Sequence, residues 1–130
     1  MKNTFSERLL PSDEASIGGG HVQLGVRLPW YRSLPLSVVD VGQLVIDGKT
    51  VPPERMKLTL DGKTYGLGDL PERTEHFWYV LDSARLDLDW PLDPAHEHEV
   101  TLTLNLYPPY IPGLTWVTRG SVTIKSHQGA

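Results

Sequence analysis

Apolar residues fall at every second position in one segment after another of this chain, and a period of two commits those segments to half-buried β-strands. Val22, Leu24, Val26 and Leu28 alternate with Gln23, Gly25 and Arg27. Met56, Leu58 and Leu60 alternate with Lys57 and Thr59, and Leu86, Leu88 and Trp90 with Arg85, Asp87 and Asp89 until Pro91 ends the pattern. Val100, Leu102, Leu104 and Leu106 alternate with Thr101, Thr103 and Asn105. Residues 43–46 are a short apolar run closed by Asp47-Gly48, residues 76–81 are aromatic and apolar, and Trp116, Val122 and Ile124 supply a last segment in which Gly120 is expected to mark a bulge. Asp61-Gly62, between Leu60 and Lys63, reads as a two-residue hairpin loop of the primed type. No amphipathic helical stretch competes with these strands.

Roughly seven short strands at spacings of about ten residues, punctuated by Pro and Gly, predict an all-β chain folded as a two-sheet antiparallel β-sandwich. A small barrel stays open, because strand number alone does not fix closure. Residues 1–20, with Gly18-Gly19-Gly20 at their end, read as an N-terminal arm hinged onto a sandwich domain of residues 21–130.

Composition narrows the chemistry. The chain of 130 residues has no cysteine, which excludes a disulfide framework, thiolate metal ligation and a cysteine nucleophile. Its 16 acids and 12 bases are scattered, giving a net charge of −4 and no basic block to meet phosphates, so no nucleic-acid partner is expected. No apolar run approaches the ~20 residues of a membrane helix, and the first residues lack the apolar core of a secretion signal. No membrane association is expected, and a cytoplasmic location is.

Four clusters invite a catalytic reading. His96-Glu97-His98-Glu99 would present two imidazoles on one strand face, as in a cupin-like metal site, but no third ligand frames them. His76 precedes Phe77-Trp78-Tyr79, while His21 and His127 have no carboxylate beside them in sequence. Asp87 and Asp89 share a strand face and are accounted for as its water-facing residues. No nucleophile elbow, phosphate loop or dinucleotide fingerprint occurs. We therefore expect no catalytic residue, metal ligand or cofactor in this chain.

Two other segments have the composition of contact surfaces. Residues 27–37, RLPWYRSLPLS, carry Arg27, Pro29, Trp30, Tyr31, Arg32 and Pro35 straight out of a strand. Residues 107–113, YPPYIPG, place Tyr107, Tyr110, Ile111 and Pro112 on a proline-stiffened loop that loses little entropy on docking. Either loop alone can instead fold back and cap the sandwich. Together they point to a protein partner.

At these segments the chain resembles the small, or beta, subunit of bacterial C-glycoside deglycosidases. The matching pieces are GVRLPWYRSLPLSVVD (25–40), LVIDGKTVPPERMKLTLDGKTYGLGDL (44–70), HFWYVLD (76–82), HEVTLTLNL (98–106) and the Tyr-x-Pro pattern within YPPYIPG. They extend over residues 22–125, and the Pro108-Pro109 pair and the three consecutive glycines depart from the family pattern.

The resemblance implies a hetero-oligomer with a larger alpha subunit, a TIM barrel that carries a divalent metal, typically Mn2+, and the acid–base groups. It implies 3-oxo-C-glycosides of flavonoids and related aromatics as substrates. A C3 ketone acidifies the C2 hydrogen, so β-elimination can release the aglycone from C1 and leave a 1,5-anhydro-enulose, a carbon–carbon lyase reaction. The ten residues named in the two loops would then form the subunit interface, with Trp30, Tyr31 or Tyr110 at the substrate mouth, stacking on a flat aglycone. Arg27 and Arg32 would pair with carboxylates of alpha or decorate the strand end. Two other readings compete: a free-standing carbohydrate-binding sandwich using Trp78, Trp90 or Trp116 as a sugar platform, and a cupin-like metal enzyme through His96 and His98.

Overall fold

The computed structural model describes residues 9–11, 14–18, 20–92 and 96–124. In chain order the strands are β1 (Ala15–Gly18), β2 (His21–Arg27), β3 (Leu34–Pro35), β4 (Val39–Ile46), β5 (Lys49–Thr50), β6 (Met56–Leu60), β7 (Lys63–Gly66), β8 (Phe77–Trp78), β9 (Ser83–Asp89), β10 (His98–Leu106) and β11 (Trp116–Ile124). Short 3-10 turns lie at Leu36–Val38, Pro53–Arg55 and Leu67–Glu72. One sheet has the order β1-β2-β9-β6-β7, a second β11-β10-β4-β5, and β3 pairs with β8 in a small third sheet. Every pairing is antiparallel and no sheet closes into a barrel, so the sandwich expectation holds.

Alternation sets the register. Val22 lies opposite Leu88 and Leu24 opposite Leu86, while Leu58 flanks Leu86 from the other side. A slip of one residue would turn this whole set to water. The inward residues of the first sheet meet Leu44, Ile46, Val100, Leu102, Leu104 and Leu106 of the second in one continuous core. Asp47-Gly48 and Asp61-Gly62 both have positive φ at their two positions, 51° and 81° in one and 52° and 78° in the other. That is the primed geometry whose twist suits a tight hairpin.

Two local expectations are corrected. Gly120 sits in unbroken register opposite Leu102, and the bulge lies instead in β4, where Gly42 is the extra residue between Val41↔Leu104 and Gln43↔Thr103. A Cβ on Gly42 would stand 2.7 Å from the Asn105 amide nitrogen and would displace the side chain that donates to Asp40. The aromatic run 76–81 is a strand only at Phe77–Trp78, because the chain then turns through the Asp82 N–H to Tyr79 carbonyl bond. Within the stretch read as an arm, Leu9 and Leu10 are buried in the core and β1 pairs with β2. Residues 1–8 of that arm lie outside the described residues, as do His127 and the rest of 125–130.

Glu14 lies across Gly25, and its carboxylate accepts from Arg27 and Ser83. An added Cβ at Gly25 would fall 2.4 Å from the Cβ of Glu14. Gly25→Ala is therefore expected to lower stability by about 1–3 kcal/mol through overpacking. A melting temperature equal to wild type would show that residue 14 does not rest on β2.

Candidate functional site

β2 and β10 both end at one end of the sandwich, where β4, β9 and β11 begin. The connections leaving there are residues 28–33, 79–82 and 107–115. Trp30 joins the first to the last. Its indole is 6% exposed, packs edge-on against Trp116 at 5.3 Å and beside Tyr31 at 4.9 Å, and donates its N–H to the Tyr110 hydroxyl. The Arg32 guanidinium stands 4.7 Å over the Tyr110 ring. A hydrogen bond with Tyr110 pushes the Tyr31 phenol above its ordinary value, burial adding to the shift and Arg32 opposing it, so Tyr31 keeps its proton at neutral pH.

Proline and backbone bonds hold the 107–115 loop. Tyr107 N–H donates to the Val38 carbonyl, Ile111 N–H to Pro108 and Leu114 N–H to Ile111, and Pro108 is buried. Tyr110, Ile111 and Pro112 are exposed at its tip.

The ten candidate interface residues thus separate into two groups. Tyr31, Arg32, Tyr107, Tyr110, Ile111 and Pro112 are exposed, with Tyr31 at 62%. Pro29 and Trp30 are buried, Pro35 is half-buried in β3, and Arg27 is committed to Glu14 at 3.0 Å and to the Leu81 carbonyl at 3.0 Å. Of the three residues set at a substrate mouth, Tyr31 and Tyr110 reach the surface, whereas Trp30 supports them from beneath.

Reading the sequence passed over residues 77–81 as contact surface. Phe77, Tyr79 and Leu81 are exposed around fully buried Trp78. A usable signal is missing charge: residues 28–35, 76–81 and 107–117 hold Arg32 and no other Asp, Glu, Lys or Arg, in a chain with 28 such residues, 12 basic plus 16 acidic.

His76 and His98 are each tied into the fold by hydrogen bonds to a carboxylate. His98, at the start of β10, is buried with Nδ1 2.5 Å from the Asp47 carboxylate, while His96 precedes the strand, so the two do not share a strand face. His76 bridges Asp61 through Nε2 at 3.0 Å and the Tyr65 hydroxyl through Nδ1 at 2.8 Å. Asp87 bonds Thr59 and Arg85. Among the described residues no group of three or more His, Asp and Glu is placed to hold a metal. Trp78 is fully buried, and Arg55 lies over half-buried Trp90, so neither offers an open sugar platform.

Asp47 also caps the Glu99 N–H, and the His98 hydrogen bond followed by that backbone bond holds its carboxyl below the ordinary range. A carboxyl depressed in the folded state adds stability that is full above its unfolded value near 4 and is lost as pH falls through the folded value. Asp47→Asn keeps the turn preference and removes the charge. It is expected to melt a few degrees below wild type at pH 7, about 1 kcal/mol for a half-exposed bond, with the gap closing below about pH 4. A gap independent of pH would exclude the carboxylate as its source.

Residues 12–110 match the family described as C-glycoside deglycosidase beta subunit. A C-glycoside deglycosidase beta subunit from Microbacterium trichothecenolyticum is 37% identical over 105 residues, 81% of this chain and 80% of the relative. A 3'-dehydrocarminate deglycosidase beta subunit from a Microbacterium species is 33% identical over 108 residues, 83% of this chain and 82% of that one. A C-glycoside deglycosidase beta subunit from Arthrobacter globiformis is 35% identical over 108 residues, 82% of each. The matched span contains 27–37 and ends within 107–113.

Proposed function

Because the chain belongs to the C-glycoside deglycosidase beta subunit family, we propose that it is the small subunit of an enzyme that removes the sugar from a 3-oxo-C-glycoside by β-elimination. The products are the free aromatic aglycone and a 1,5-anhydro-enulose. The observation that carries this reading is one aromatic end of the sandwich, poor in charge apart from Arg32, where residues 28–35 and 107–113 converge through Trp30 and Tyr110. Interface centres are poor in charge and rich in Tyr, Trp and Arg.

In this reading the larger alpha subunit, a TIM barrel, holds a divalent metal such as Mn2+ and the proton-transfer groups. The metal supplies a Lewis acid for the charge that develops at the ketone oxygen. This chain's residues bind and exclude water. Tyr31, Tyr107, Tyr110 and Ile111 press on the partner, and Arg32 seats one of its carboxylates. Tyr31 and Tyr110 lie where a flat aglycone at the mouth of the site can stack. Keeping water from a charge-developing site strengthens every electrostatic contact inside it.

The test is to produce this chain with and without the large subunit and to follow aglycone release from a 3-oxo-C-glycoside with added Mn2+. Release by the mixture and by neither chain alone supports the reading. A chain that never associates with the large subunit, or adds nothing to its turnover, overturns it.

A further inference from the structure

We propose that Phe77, Tyr79 and Leu81 form a third contact of the docking face, and that the surface they and Arg32 meet on the large subunit is apolar with a carboxylate opposite Arg32. This rests on the subunit reading above and adds a segment and a partner chemistry to it.

The three side chains are exposed by 41%, 59% and 78%, and Leu81 is the most exposed large apolar residue of the described chain. They are not scattered. Trp78 pairs with Leu34 and Phe77 with Pro35 across β3 and β8, the Val80 N–H donates to Ser33 Oγ at 3.0 Å, and the Leu81 carbonyl accepts from Arg27. Residues 77–81 therefore abut one side of the 28–35 loop, whose other side holds Tyr110 through Trp30 and Arg32. Segment 77–81 thus adjoins 28–35, which in turn adjoins 107–113, and the exposed apolar residues of the three make a strip of the kind that marks association sites.

The strip is built before any partner arrives. The Trp78 indole N–H donates to the Asp82 carbonyl at 2.8 Å, the Asp82 N–H closes the turn onto Tyr79, and His76 ties the root of β8 to Asp61 and Tyr65. A surface already held in one shape loses little freedom on binding.

Charge identifies the occupant. Arg27 is neutralised inside the chain by Glu14, but Arg32 lies over the Tyr110 ring and makes no ion pair with a carboxylate among the described residues. A second copy packed face to face would bring two such guanidinia into a strip that offers no carboxylate, since a two-fold interface opposes a surface to itself. A different protein with an acid at that point satisfies both.

The experiment measures dissociation, on dilution, of the complex co-produced with the large subunit, for Tyr79→Ser with Leu81→Asp, for Arg32→Glu, and for Ile111→Asp on the part of the face that belongs to the subunit reading. Melting curves check that each variant folds. Expected is at least a ~30-fold weaker complex for the Tyr79/Leu81 pair, and at least ~10-fold for Arg32→Glu, scales set by interface hot spots. If Ile111→Asp weakens the complex while the Tyr79/Leu81 pair and Arg32→Glu stay within about twofold, this inference fails and the subunit reading stands. If no variant changes affinity, or no complex forms, both fail. A wild-type chain that dimerises alone through the strip, and loses only that dimer in the variants, makes a second copy the occupant and overturns the proposal.

Discussion

Trp78→Ala is expected to abolish stable folding at 37 °C. The side chain is fully buried, so truncation removes its transfer energy and leaves an indole-sized void, about 3–5 kcal/mol for a large aromatic. A domain of this size holds only about 5–15 kcal/mol in total. The loss is compounded locally, because the Asp82 carbonyl loses the indole N–H that closes the 79–82 turn. Trp78→Phe separates the two effects. It fills most of the void and removes the hydrogen bond, so it should fold with a deficit nearer 1–2 kcal/mol and a turn more open to proteolysis. A Trp78→Ala protein that melts within about 3 °C of wild type, less than ~1 kcal/mol for a domain of this size, would mean that the core does not close around β8.

The second large effect is on assembly. Replacing Tyr31 and Tyr110 together by Ala should weaken the complex with the large subunit on the order of 10³-fold, as two aromatic anchors at an interface centre do. The pair will not behave additively, since Trp30 packs beside Tyr31 and donates its N–H to the Tyr110 hydroxyl, so the two share a support. Tyr110 also accepts the Trp30 N–H. Tyr110→Phe isolates that role: the ring stays under Arg32, but the Trp30 N–H loses its acceptor, a cost of about 1–3 kcal/mol in stability with little change in affinity. Wild-type affinity in the double alanine variant would remove these loops from the interface.

Strand alternation was strong enough to place β2, β6, β9 and β10 from residues alone, because each has one face in the core and one in water. Asp47-Gly48 and Asp61-Gly62 were equally readable, since few other pairs accept positive φ twice. β1 gave no such pattern: it has four residues, and its value lies in pairing with β2, a tertiary fact. Gly120 and Gly42 look alike in sequence, and only the register across β10 tells which one is the bulge. The aromatic run 76–81 has the composition of a strand, yet burying Trp78 and donating its N–H to Asp82 bends the chain after two residues.

The two candidate loops could each be picked out by composition, but not that they touch. Trp30 and Tyr110 are 80 residues apart in sequence and meet only because β2 and β10 end on the same side of the sandwich. For the same reason the tryptophan that looked most like a surface anchor is the one that burial claims. Its neighbours Tyr31 and Arg32 inherit the exposed position.

Pairing of β2 with β9 has a consequence for how the chain is made. Residues 21–27 can pair early with β1, but they find their second partner only after residues 83–89 have been synthesised, and at about 5–20 residues per second that is a wait of several seconds. The docking face is later still, since Tyr110 and Ile111 belong to a loop in the last fifth of the sequence. A ribosome that stalls before residue 107 releases a product with Tyr31 but without the ring that Arg32 and Trp30 need. Under the docking proposed above, only chains translated past that loop present the complete face to the large subunit.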